Sequence, residues 1–173
     1  MKRPVGPRGA FRTGGRHMDK IPITKAGYER LKKDLDHLKR VKSPENIREI
    51  EEARSHGDLS ENAEYQAAKE RQSFIQGKIQ ELENNLATCM VIDPKDLSDD
   101  HVAFGSIVTV EDLETSDVVQ YQLVGPLESD LRENKISIVS PIGKALIRKE
   151  VGDEVRVQTP GGIRTLEIID ITL

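Results

Sequence analysis

From Thr24 onward the apolar residues recur at helical steps: Leu31, Leu35 and Leu38 stand four and three apart, and Ile47, Ile50 and Ala53 carry the stripe on. That spacing gathers them on one face of a helix, with Thr24 placed to cap its start. Between the two groups lies Ser43-Pro44-Glu45. Pro44 lacks a backbone donor and disfavours helical geometry at Ser43, so the pattern predicts a kink, or a stop and restart with Ser43 as the new cap. A second run begins near Ser60 and reads Glu61, Tyr65, Ala68, Gln72, Ile75, Ile79, Leu82, Leu86. Alternating steps of four and three over this length mark a coiled-coil seam. Ser55-His56-Gly57-Asp58-Leu59 separates the two runs, and Gly57 permits the left-handed backbone that lets them close as an antiparallel hairpin. At 1.5 Å per residue, about 30 residues give an arm of roughly 45 Å.

Asp93-Pro94 and the polar stretch from Asp96 to His101 end the helical part, and from Phe104 the period falls to two. Ile107 to Val110, Val118 to Val124, Lys135 to Val139, Glu154 to Gln158 and Thr165 to Thr172 read as five short strands, and Ile142 to Ile147 as one short helix. The expected fold class is α+β: an antiparallel α-helical coiled-coil hairpin over 18–93, a linker over 94–103, and a small antiparallel β domain with one short helix over 104–173.

Charge divides the chain unevenly. Lys2, Arg3, Arg8, Arg12 and Arg16 make the first 17 residues wholly basic, while the remainder carries 21 basic against 30 acidic residues, a net charge of −9. So acidic a body is a poor coat for duplex DNA. The leader 1–17 is rich in Gly, Arg and Pro, lacks the apolar core of a secretory signal, and reads as a disordered extension before a second start at Met18. With no Trp, three Phe and three Tyr, the chain has little material for an aromatic-walled ligand pocket or for stacking unpaired bases. The single cysteine, Cys89, excludes an intramolecular disulfide and a cysteine zinc cluster, and no apolar run approaches a membrane span. A cytoplasmic monomer is expected.

The candidate chemistry lies at the turn of the hairpin, where HGDLSENAEY concentrates Asp58, Glu61 and Glu64 at the point farthest from the β domain. One reading is local: acids favour the first turn of a helix through its dipole. The other is that an arm ending in carboxylates completes a metal site on a partner. His56 beside Asp58 is too sparse a set to hold a metal unaided, and closing the turn by a hydrogen bond suits it better.

The blocks IPITKAGYERLKKDL, EEARSHGDLSENAEYQAAKE, FGSIVTV, ISIVSPIGKALIRKEVGDEV and TPGG, in this order, resemble those of the bacterial Gre factors, over Met18 to Leu173. Glu and Gln alternate with Lys69, Arg71 and Lys78 along the hairpin, which favours the GreA over the GreB branch. The resemblance implies an FKBP-like fold for the β domain and a factor that enters the secondary channel of bacterial RNA polymerase. There it would stimulate the polymerase's own hydrolysis of backtracked RNA, without being an enzyme itself. It further implies that Asp58 and Glu61 help hold a weakly bound second Mg²⁺ and orient the attacking water, so that both act as catalytic and metal-binding groups only inside the polymerase complex. The implied cofactor set is Mg²⁺ in the polymerase active site, with none tightly bound to this chain. Arg54, Lys69 and Tyr65 match positions near the nascent RNA 3′ end. The C-terminal domain would dock on the β′ coiled coil through Ser140 and Pro141, although Val139 stands where relatives often carry Asp or Asn. Plainer roles are a solvated charge for Arg54 and Lys69, a seam residue for Tyr65 and a strand terminator for Pro141.

Two other functions compete. A peptidyl-prolyl isomerase of FKBP-like fold needs an aromatic pocket, and this domain offers only Phe104 and Tyr121. The other is a Gre-like inhibitor that plugs the channel without cleavage; some such proteins carry a different acidic tip, whereas here the Asp-Leu-Ser-Glu-Asn spacing is kept.

Overall fold

The computed structural model describes residues 20–57, 62–94 and 100–173. Strand β1 (Ile21–Ile23) leads into helix α1 (Lys25–His37), whose start is capped as expected: the Thr24 hydroxyl accepts the Gly27 N–H at 3.0 Å. Beyond α1 the chain does not stop at Pro44. A π-helical segment, Leu38–Lys42, runs directly into α2 (Ser43–Ser55), and Ser43 is itself helical, with its N–H donating to the Leu38 carbonyl five residues back. Ser43 is therefore not a new cap. A widened turn just before a proline absorbs the donor that the proline lacks, without breaking the rod.

That extra residue rephases the apolar stripe. The inward positions run Leu31, Leu35 and Leu38, then step by five to Ser43 and continue to Asn46, Ile50 and Ala53. Ile47, expected in the seam, is 46% exposed, and Asn46 takes its place at 2%. The buried Asn46 amide donates to the Ala68 carbonyl of the facing helix at 3.0 Å, which satisfies it and fixes the register.

Helix α3 (Ala63–Thr88) starts later than the pattern near Ser60 implies, with Asn62 as its cap. Its seam is the expected one: Tyr65, Ala68, Gln72, Ile75, Ile79, Leu82 and Leu86 are all at least partly buried. Arg71 bridges to Glu49 at 2.8 Å and Lys39 to Glu83 across the hairpin, exposed pairs that add little each. At the open end, β2 (Cys89–Val91) pairs in parallel with β1, Ile21 opposite Cys89, and Ile23 is fully enclosed. The periodicity gave no hint of this pair.

Among the described residues, β3 (Ile107–Asp112), β4 (Val118–Val124), β5 (Lys135–Ser137), β6 (Glu154–Thr159) and β7 (Gly162–Thr172) form one sheet in the order β5-β4-β3-β7-β6. Helix α4 (Pro141–Leu146) packs on β6 and β5. The core between them holds Val108, Val110, Leu123, Ile136, Leu146, Val157 and Ile168. The strands pair antiparallel as expected, except that β4 and β5 are parallel, with Gln122 opposite Lys135. The chain returns after β4 through a 3-10 turn, Leu131–Glu133, and a left-handed Asn134, so it re-enters the sheet in the same direction. Among the described residues no helix is long and apolar enough to cross a membrane.

Candidate functional site at the end of the arm

The end of the arm is closed by side chains from both helices. Helix α2 finishes at Ser55, the His56 N–H reaches the Ala53 carbonyl at 3.4 Å, and Gly57 turns with φ of 118°, a conformation glycine alone adopts cheaply. On the other strand of the turn, the Asn62 oxygen accepts the Tyr65 N–H at 3.0 Å and its amide donates to the Ala53 carbonyl at 2.7 Å. One side chain thus caps α3 and satisfies the last turn of α2. Asp58 and Glu61, the candidate carboxylates, lie outside the described residues; the bonds from Asn62 bracket the segment that carries them.

Two clefts flank the seam at this end, and their chemistry differs. One, of about 280 Å³, is lined by Ile47, Ile50, Glu51, Arg54, Tyr65, Lys69 and Gln72. The three residues expected near RNA, Arg54, Tyr65 and Lys69, therefore share one face, with Lys69 resting on Gln72 at 2.7 Å and Tyr65 half-buried against the seam. The opposite cleft, of about 350 Å³, is lined by Glu49, Glu52, His56, Glu64 and Arg71, with small alanines between. There His56 Nδ1 stands 3.5 Å from a Glu64 carboxylate oxygen. Glu64 occupies the first turn of α3, where the helix dipole favours it. Among the described residues no three metal-ligating side chains gather.

Ser140 and Pro141 serve α4 directly. The Ser140 hydroxyl accepts the Gly143 N–H at 3.0 Å, and Pro141 opens the helix, so it is a helix starter rather than a strand terminator. Both also border a hollow of about 180 Å³ with Leu131, Ile136, Ile142 and Pro160. Leu131 at its rim is 77% exposed, and Val139 lies outside the shortened strand β5 with its side chain in solvent. Asn62 carries a signal legible in the sequence, since an Asn immediately before the head of a helical run is a capping residue.

The transcription elongation factor N-terminal family model, of GreA and GreB, matches residues 21–91, and the transcription elongation factor GreA/GreB C-terminal model matches 97–173. Transcription elongation factor GreA of Syntrophus aciditrophicus is 64% identical over 154 residues, 89% of this chain and 96% of that protein. The protein of the same name from Syntrophobacter fumaroxidans is 54% identical over 154 residues, 89% of this chain and 99% of its own length. Among solved structures, GreA factor homolog 1 of Thermus thermophilus is 30% identical, covering 89% of this chain and 99% of that one, with a TM-score of 0.41.

Proposed function

The chain belongs to the GreA/GreB family of transcription elongation factors, and from that premise we propose that it reactivates stalled RNA polymerase by stimulating the polymerase's own Mg²⁺-dependent cleavage of backtracked RNA. The observation that carries this reading is the sorting of groups at the end of the arm. Arg54, Lys69 and Tyr65 share the cleft beside the seam, and Asn62, which follows Asp58 and Glu61 in sequence, ties the start of α3 to the last turn of α2. Cations suit the phosphates of an extruded RNA strand, and a tyrosine face suits an unpaired base.

Asp58 and Glu61 are hard oxygen donors of the type Mg²⁺ takes, and two carboxylates on a single turn are too few to retain the ion without a partner's ligands. When bound with the polymerase, the ion would stabilise the attacking and leaving oxygens of the hydrolysis. The chain's own work is then to carry the carboxylates to the reacting phosphate, to orient the water by hydrogen bonding, and to hold the RNA end against Arg54 and Lys69. The C-terminal domain docks on the polymerase β′ coiled coil through the exposed apolar rim around Leu131, Val139, Ser140 and Pro141. That hollow carries no aromatic side chain, which speaks against prolyl isomerisation.

The experiment is a cleavage assay on a stalled elongation complex with 5′-labelled RNA. Added protein should shorten the transcript and restore elongation on nucleotide addition, and it should leave naked RNA uncut. Cleavage of naked RNA, or inhibition of elongation without shortening, would contradict the reading.

A further inference from the structure

The chemistry proposed above makes no use of the buried carboxylate of Glu128, in the turn that follows β4. Glu128 is 4% exposed, and although Arg30 and Lys135 line the same cleft, no ion pair to it is formed among the described residues. Both of its oxygens are taken by Thr24, 104 residues earlier: the Thr24 N–H donates to Oε2 at 2.8 Å, and the Thr24 hydroxyl donates to Oε1. That hydroxyl accepts the Gly27 N–H in turn, so the carboxylate seals the N-terminus of α1, where the helix dipole favours a negative charge.

At this junction neither of two glycines has room for a β-carbon. A β-carbon on Gly27 would fall 2.0 Å from Glu128 Oε1, and one on Gly125 would fall 1.9 Å from the Pro22 carbonyl oxygen. Glu128 also acts on the strand beside α1: together with burial, its charge pushes the Cys89 thiol up from its ordinary value. A charged bracket and two glycines thus join the base of the arm to the C-terminal domain.

We propose that Glu128 is a positioning residue, which locks the angle between the arm and the C-terminal domain so that a docked protein delivers its tip to one place. The inference rests on the reading that the arm reaches a partner's active centre while the other domain docks. Helix α3 alone is about 39 Å long at 1.5 Å per residue. A tilt of about 5° at its base swings the tip by roughly 3 Å, whereas catalytic groups must be held to about 0.5 Å and a 1 Å misplacement costs about a hundredfold.

The test uses the full chain with spin labels at Ser73→Cys and Lys144→Cys in a Cys89→Ser background, together with cleavage and polymerase-binding assays. Glu128→Ala should broaden the distance distribution between the labels and lower stimulated cleavage by at least about tenfold, with polymerase affinity unchanged within about twofold. Glu128→Gln should rescue most of the activity, since its oxygen still accepts the Thr24 N–H and its amide can donate to the hydroxyl. Gly27→Ala, whose methyl would push the Glu128 carboxylate away from Thr24, should reproduce the loss. A wild-type distance distribution in both Glu128→Ala and Gly27→Ala would overturn the lock, as would cleavage falling only in step with binding. Absence of stimulation by the unsubstituted protein would instead contradict the function proposed above, while the distances would still decide whether Glu128 fixes the angle.

Discussion

The amide of Asn62 donates to the carbonyl of Ala53 at 2.7 Å, joining the N-cap of one helix to the last turn of the other. The same side chain caps α3 through the Tyr65 N–H, so Asn62→Ala removes two bonds at once. The expected cost is about 1–2 kcal/mol by urea denaturation. Asn62→Asp keeps the cap but turns an oxygen toward the Ala53 carbonyl, and it should recover only part of the loss. Equal stability of all three proteins would mean that the turn is closed by other groups.

The π-helical step before Pro44 decides which isoleucine matters. Ile50 is in the seam and Ile47 is in solvent, so Ile50→Ala should cost about 2 kcal/mol and Ile47→Ala less than about 0.5 kcal/mol. Equal losses would put the seam back in the phase that uninterrupted helical spacing implies.

Cys89 lies in β2, where burial and then the charge of Glu128 raise the pKa of its thiol. A raised pKa leaves less reactive thiolate near neutral pH, and the pH profile of alkylation should lie above that of an ordinary cysteine at about 8.5. Glu128→Gln removes the nearby negative charge and should shift the profile downward. An unshifted profile in the native protein, or no response to the substitution, would contradict the proximity of the two groups.

The parts of this fold that were legible in the sequence are those that rest on local repetition. The seven seam positions from Tyr65 to Leu86 follow from their spacing, and the alternation from Ile107 onward marks the strands of the sheet. The phase of α2 was not legible, because a π turn inserts one residue and leaves no mark in composition. Strands β1 and β2 are three residues each and pair across the whole hairpin, too short to show a period. Alternation also does not encode the direction in which β5 enters the sheet. At the site, Arg54, Tyr65 and Lys69 line one cleft because helical spacing on two facing helices brings them to the same side, whereas the Thr24–Glu128 bracket joins residues that no local pattern connects.

The central claim is that carboxylates at the turn of the arm complete a metal site inside the polymerase. Stimulated RNA cleavage and polymerase binding, measured side by side over a Mg²⁺ titration for Asp58→Ala, Glu61→Ala and the double variant, test it most directly. Each single variant should lose at least about tenfold in cleavage, bind polymerase almost normally and recover in part at high Mg²⁺, and the double variant should fall little further. If the acids only favour the helix start, binding and cleavage should decline together by the equivalent of about 1 kcal/mol, with no recovery by metal. Cleavage at the unsubstituted rate by the double variant would contradict the account and leave the chain a protein that binds polymerase without aiding its chemistry.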